Sequence, residues 1–429
     1  MPGCRARRGQ LLLAATMVAT VFTAVACSGS SGKSNGSPST SAGATTSSPT
    51  QAVTDSHPYT LGVLTDLTGP ASGTEKQVVL GVKAGVGLAN SEGYKFKYVV
   101  ADAQTSPTGV TAAAHQLVEQ DHVDAVIAES ALTFAAAPYL AAQGIPVIGA
   151  ATDGTEWITM KNMFSVFGTP DYHKVNSGLG DFLKLVSAKN LAAMGYSIPP
   201  SANLSAKASA ESARNAGLQV GYENSEFPLG STNVGPAAIA IKNAGSDALS
   251  ASLLENTVFA LITTLHQNGV KLTAPVLATG YGGELLTAGS GEKTAAQGAY
   301  FTMSYEPVEM QTAATKKFAS AMNTYAGVNN DPQLNEYIGY ASVDLFKTAL
   351  QKTGPAPSHE QLINTILGIR SYNAAGLFGS HSIGFALDQR GIYQGADNCI
   401  WYVQFSGNSF HLVNGATPLC GKNLPQTVK

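Results

Sequence analysis

Two hydroxyl residues, Ser130 and Thr152, stand where apolar runs break into polar turns. Ala125-Val126-Ile127-Ala128 ends at Glu129-Ser130, and Ile145-Pro146-Val147-Ile148 leads to Ala150-Ala151-Thr152. A hydroxyl beside the free backbone N–H groups of a helix start can hold an anion or a carbonyl oxygen without a buried cation. Each residue alone serves equally well as a helix cap. Their placement at two adjacent strand ends turns the reading toward ligand contact. Catalytic alternatives fail on the letters. His359-Glu360-Gln361-Leu362-Ile363 opens like a zinc-protease helix, but Ile363 occupies the place of the second histidine. In Gly289-Ser290-Gly291-Glu292-Lys293-Thr294, Glu292 separates the Gly from the Lys of a nucleotide loop, and in Gly29-Ser30-Ser31-Gly32-Lys33-Ser34, Cys27 stands where the leading Gly belongs. No Gly-x-Ser-x-Gly elbow follows a strand, and the 8 histidines are scattered. The expectation is a binding protein, not an enzyme, that uses no metal and no cofactor.

The elements that would position Ser130 and Thr152 alternate regularly. Tyr59-Thr60-Leu61-Gly62-Val63-Leu64 is a strand that enters the turn Thr65-Asp66-Leu67-Thr68-Gly69-Pro70, and helix and strand then alternate through residue 152. That order predicts a parallel sheet, which binds ligands outside the carboxyl ends of its strands. The pattern resumes after Leu191. Helices are expected over 205–216, 237–244 and 257–268, stopped by Gly217, Gly245 and Gly269. Strands are expected over 218–222, 248–252 and 274–278. Amphipathic stretches at 311–325 and 335–353 should return to the first lobe, and the last strands should cross back to the second. The fold class is therefore α/β, with two doubly wound parallel-sheet lobes joined by a multi-crossover hinge. Residues 58–170 plus 305–380 would form lobe 1, and 171–304 plus 381–429 lobe 2. Pockets form preferentially in a cleft of this kind.

The N-terminus predicts export. Arg5, Arg7 and Arg8 precede an uncharged apolar stretch, residues 11–25, too short to span a bilayer comfortably. It closes on Thr23-Ala24-Val25-Ala26-Cys27, similar to a bacterial lipoprotein signal in which the cysteine is acylated. Residues 1–26 would be the signal peptide, and 27–57, rich in Ser, Thr, Gly and Pro, a flexible tether with too little apolar surface to fold. The Arg7-Arg8 pair leaves the export route, general or twin-arginine, open. Removing the three signal arginines from 25 basic residues leaves 22 against 28 acidic ones, a net charge of −6. No basic stripe is present, so nucleic acid is not an expected partner. With Cys4 in the signal and Cys27 lipidated, Cys399 and Cys420 remain, flanking a hairpin-like pair of strands. An even pair outside the cell predicts one disulfide.

Several segments together carry a family resemblance. Leu61-Gly62-Val63-Leu64-Thr65-Asp66-Leu67-Thr68-Gly69-Pro70, Asp102 with Pro107, Val123-Asp124-Ala125-Val126-Ile127, Gly144-Ile145-Pro146-Val147-Ile148, and Ala375-Gly376-Leu377-Phe378-Gly379 with Phe385 occur in that order. In order and spacing they resemble the branched-chain amino acid binding proteins of ABC importers, which have the type I periplasmic binding fold. The resemblance implies a lipid-anchored, extracytoplasmic receptor that passes a small molecule to an ABC permease. It places the ligand's carboxylate at Ser130 and at Ala150, Ala151 and Thr152. It also sets Thr74 where the family usually has an aromatic, and Ala202 and Leu254 where it has tyrosines. Tyr281 would close over the ligand, and Glu284 or Glu255 would supply the charge that meets an ammonium. Those departures leave two cargoes open, an amino acid or a carboxylate or amide without an α-amino group. A sensor of the same fold, signalling to a partner protein, is the alternative role, and a cleft enzyme the remote one.

Overall fold

The computed structural model describes residues 55–329 and 331–429. The signal, Cys27 and the tether up to residue 54 lie outside the described residues. Asp55 is already part of the folded body, accepting the Tyr59 hydroxyl at 2.6 Å. No described helix is long and apolar enough to cross a membrane.

The first apolar run becomes β1 (Pro58–Thr65), paired in parallel with β2 (Lys95–Asp102) on one side and β3 (Ala125–Glu129) on the other. β4 (Val147–Gly149) and β5 (Met163–Ser165) complete a five-stranded parallel sheet in the order β2-β1-β3-β4-β5. Both faces are covered, so β3 is buried along its whole length and its sequence reads as an unbroken apolar run up to Glu129. β4 begins two residues later than the apolar run suggests. Pro146 has no N–H for the ladder, although its carbonyl still accepts the Val126 N–H at 2.9 Å.

Helix Leu334–Thr353 lies against helix Val78–Ser91 and against β3 and β4. Their close approach depends on small residues. A Cβ at Gly81 would overlap the Glu336 carbonyl, one at Gly339 would overlap the Val78 carbonyl, and one at Gly85 would sit 2.7 Å from Val343 Cβ. At the start of the long helix the Glu336 carboxylate reaches back to accept the Gln333 N–H at 2.8 Å, one half of a capping box.

β6 (Lys174–Asn176) leaves the first sheet. The second sheet holds β7 (Asn190–Tyr196), β8 (Gln219–Phe227), β9 (Ala248–Ser252), β10 (Ala274–Leu277), β11 (Tyr300–Met303), β12 (Cys399–Ser406) and β13 (Ser409–Leu412), in the order β13-β12-β11-β10-β9-β7-β8. The five from β8 to β11 run parallel, and β12 and β13 add an antiparallel hairpin at the edge. β14 (Leu419–Cys420) pairs with β12, where Cys399 and Cys420 are bonded at an S–S distance of 2.03 Å, and β15 (Asn423–Thr427) pairs with β6. Between β11 and β12 the chain returns to the first sheet through helices Ala313–Ala321, Leu334–Thr353 and His359–Leu367. The molecule is thus mixed α/β, with two parallel-stranded layers linked by several crossovers.

Two boundaries differ from expectation for local reasons. Helix Pro200–Asn215 starts earlier than residue 205, because Pro200 occupies its first turn, where a missing N–H costs nothing. β8 extends through Glu223 and Glu226 to Phe227 because it is an edge strand whose polar side chains face solvent. Arg390, buried on the final crossover, donates to the carbonyls of Trp157, Met160 and Phe385 at 2.7–3.1 Å and so pins that crossover beside the turn after β4.

Candidate ligand-binding site

The carboxyl ends of both sheets face one cavity of about 430 Å³. From the first sheet it is lined by Thr74, Glu75, Glu129 and Thr152, and helix Leu334–Thr353 adds Asn335 and Ile338. The second sheet and its helices contribute a different wall. Ser201, Ser205, Ser209 and Ser212 recur on one face of helix Pro200–Asn215, and Ser250 and Ser252 come from β9. These hydroxyls hold one another, with Ser252 donating to Ser205 at 2.8 Å and Ser250 to Ser209 at 3.3 Å. Phe167, Leu229, Leu253 and Leu254 are among the apolar side chains of the lining.

The strand-end loops of the first sheet are braced by Asp66. Its fully buried carboxylate accepts the Thr105 N–H at 2.7 Å, the Ala131 N–H at 3.1 Å and the Ser130 hydroxyl at 3.0 and 3.1 Å. Asp153 performs the same task one turn further on, accepting the Phe134 N–H at 2.6 Å and the Trp157 indole N–H at 2.8 Å. Burial raises both carboxyls above the ordinary range, and Glu156 raises Asp153 further.

The expected site residues separate into two groups. Thr74, Thr152, Leu254 and Ala202 line the cavity together. Ser130 does not; it is fully buried, with its hydroxyl committed to Asp66. Ala150 and Ala151 are also buried outside the lining, and Ala151 uses its N–H on Ser165 and its carbonyl on the Tyr172 hydroxyl. Tyr281 is buried with its hydroxyl donated to Glu309 at 2.7 Å, away from the lining residues. Glu284 and Glu255 lie beside each other, also outside the lining. Burial and the partner carboxyl raise Glu255, and burial raises Glu284.

The residues that sequence reasoning passed over are Glu75, Glu129 and the serine face. Glu129 is 2% exposed and Glu75 8%, yet both line the cavity. Asn335 Nδ2 donates to Glu75 Oε2 at 3.0 Å, whereas Glu129 Oε2 has no partner among the described residues. Both carboxyls are raised, first by burial and then by neighbouring carboxyls. The signals were present: Glu129 closes an otherwise apolar strand, and the serines at 201, 205, 209 and 212 recur at helical spacing.

Connections of the two sheets touch beside this cavity. Ser201 donates its N–H to the Asp153 carbonyl at 3.3 Å and its hydroxyl to the Thr152 carbonyl. Gly283 donates to the Asp331 carbonyl at 2.7 Å. The neighbouring Gly282 has φ +85°, and a Cβ there would run into the Pro332 carbonyl, so glycine is required by backbone conformation and by proximity.

Comparison with known proteins agrees with this architecture. The family model described as periplasmic binding protein matches residues 58–408. A leucine-binding protein, LivK, from Thermotoga maritima superposes with a TM-score of 0.69 at 17% identity, covering 83% of this chain and 97% of its own. LivJ from Streptococcus pneumoniae, solved in complex with isoleucine, gives 0.69 at 17% identity, covering 86% and 99%. A solute-binding protein from R. palustris in complex with 4-hydroxybenzoate gives 0.65 at 17% identity, covering 87% and 97%. No curated protein matches the sequence. With both sheets, the crossovers and the family match in place, the chain belongs to the periplasmic binding protein family and has the type I fold of the LivK-like proteins.

Proposed function

We propose that this protein is a lipid-anchored extracytoplasmic solute receptor whose two lobes, residues 58–170 plus 305–380 and 171–304 plus 381–429, close on one small organic molecule and present it to an ABC permease. The observation that carries this reading is the cavity at the carboxyl ends of both sheets, bridged on its rim by Ser201 and the Thr152–Asp153 turn. A volume of about 430 Å³ suits a molecule of metabolite size. Thr74, Thr152, Glu75, Glu129 and Asn335 supply the polar contacts on one lobe, and Leu254 with the serine face completes the enclosure from the other. Cation chemistry for catalysis or a nucleophile–base pair is not needed for capture and release. Acylation at Cys27 and the tether would hold the receptor beside its permease.

A thermal-shift screen over amino acids, amides, amines and aromatic acids tests capture, because a ligand of the native state raises the melting temperature. At least one class should give a saturable rise, and turnover of the bound compound would instead revive the enzyme reading. Cys27→Ala should release the protein from the membrane fraction or leave its precursor unprocessed. A processed variant still held like wild type would contradict the anchor.

A further inference from the structure

The cavity wall contributed by the first sheet is acidic, and this bears on the cargo. Among the described residues, the charged side chains lining the cavity are Glu75, Glu129 and Lys174. Lys174 donates its ammonium to the Gly391 carbonyl at 2.6 Å and lies 4.0 Å from Asp171, two partners that do not line the cavity. Among the described residues, no cation is paired with Glu75 or Glu129. The charged groups near them are the carboxyls of Asp66, Asp153 and Glu284. A ligand carboxylate at this wall would set a third carboxyl group against two desolvated ones with no cation among them. An ammonium or amidinium would supply both the missing charge and the N–H donors that Glu129 Oε2 lacks.

We propose that the cargo is an organic cation, an amine or amidine with an apolar body, whose N–H head seats between Glu75 and Glu129 while Phe167, Leu229, Leu254 and Ile338 enclose the rest. This rests on the solute-capture reading. It reverses the polarity expected of this wall from the family resemblance, which put a ligand carboxylate here. The neutral hydroxyls of Thr74 and Thr152 line the same cavity as further acceptors. Burial favours the protonated form of both carboxyls when the cavity has no cation, and the incoming head displaces a proton, which passes to solvent.

Matched probes decide the matter. Phenethylamine and benzamidine should raise the melting temperature and titrate saturably by calorimetry, whereas 3-phenylpropionate and benzoate, their carboxylate counterparts, should leave it unchanged. Glu129→Gln should weaken the cation probes tenfold or more, since a hydrogen bond to a charged group is lost. Glu75→Gln should act in the same direction, so a folding defect in one variant does not remove the test. Saturable binding of a carboxylate probe by the wild type, or cation binding unchanged in both variants, would overturn the inference while leaving solute capture intact. Failure of every cation probe would also overturn it, and the broader screen then decides separately whether the protein captures a solute at all.

Discussion

Asp66→Ala should destabilise the protein by about 3 kcal/mol, read as a lower urea midpoint with an unchanged slope. The carboxylate joins three strand-end loops at once: the turn after β1 that bears it, the loop after β2 through Thr105, and the turn after β3 through Ser130 and Ala131. Truncation leaves the Ala131 and Thr105 N–H groups without their acceptor and frees a buried serine hydroxyl. Each unsatisfied buried donor costs about 1–3 kcal/mol, whereas a surface substitution stays within about 0.5 kcal/mol. Asp66→Asn should fall between, because its carbonyl can replace one acceptor but its NH₂ faces donors. A midpoint for Asp66→Ala within error of wild type would show that these loops do not depend on the carboxylate.

Stability should fall as pH rises from about 5 toward 8, the opposite of the usual acid-side loss. Glu75 and Glu129 are raised by burial and by each other, and burial pushes Glu336 up to about 7. An unfolded glutamate loses its proton near pH 4.3, so above that value the native state binds more protons than the unfolded one. The linkage relation then makes the pH derivative of unfolding free energy negative. The favourable contribution is complete below the unfolded pKa and disappears as pH climbs through the raised native values. Each proton retained only by the native state is worth about 1.4 kcal/mol per pH unit. Carboxyls held low by partners, such as Glu92 beside Lys347 and Asp102 beneath the Thr68 loop, act at more acidic pH and leave this window unaffected. Urea melts at closely spaced pH values should therefore show a descending limb in the ligand-free protein. Glu129→Gln should flatten it by up to one proton's share. A rising or flat limb would mean that these carboxyls ionise freely in the folded state.

The framework was legible in the sequence because it is local. β9 and the helix stops at Gly245 and Gly269, with φ +67° and +77°, follow from hydrophobic runs and from the left-handed conformation that glycine adopts without strain. The pairing of β6 with β15 was not legible, since it joins segments some 247 residues apart and neither carries a strong strand pattern. The site was legible only in its location. Side chains alternate across a strand, so whether the cavity receives Ser130 or Glu129 depends on a shift of a single residue. Ser130 points to Asp66, which holds the loops, while Glu129 lines the cavity. Tyr281, expected to cover the ligand, instead gives its hydroxyl to Glu309 on the crossover after β11, a contact that no nearby residue announces.

The claim that the two lobes close around a molecule in this cavity is tested most directly by an interlobe distance. Spin labels at Ser91→Cys on the first lobe and Lys271→Cys on the second occupy exposed positions, and the bonded Cys399 and Cys420 leave no competing thiol in the described body. Pulsed electron–electron distances should shift to a single narrower and shorter population when a pool of amino acids, amides, aromatic acids and amines is added. A Ser252→Trp change, which places an indole in the cavity, should abolish that response. Distances that ignore the pool, or that respond equally with the cavity filled, would contradict closure on a ligand at this site.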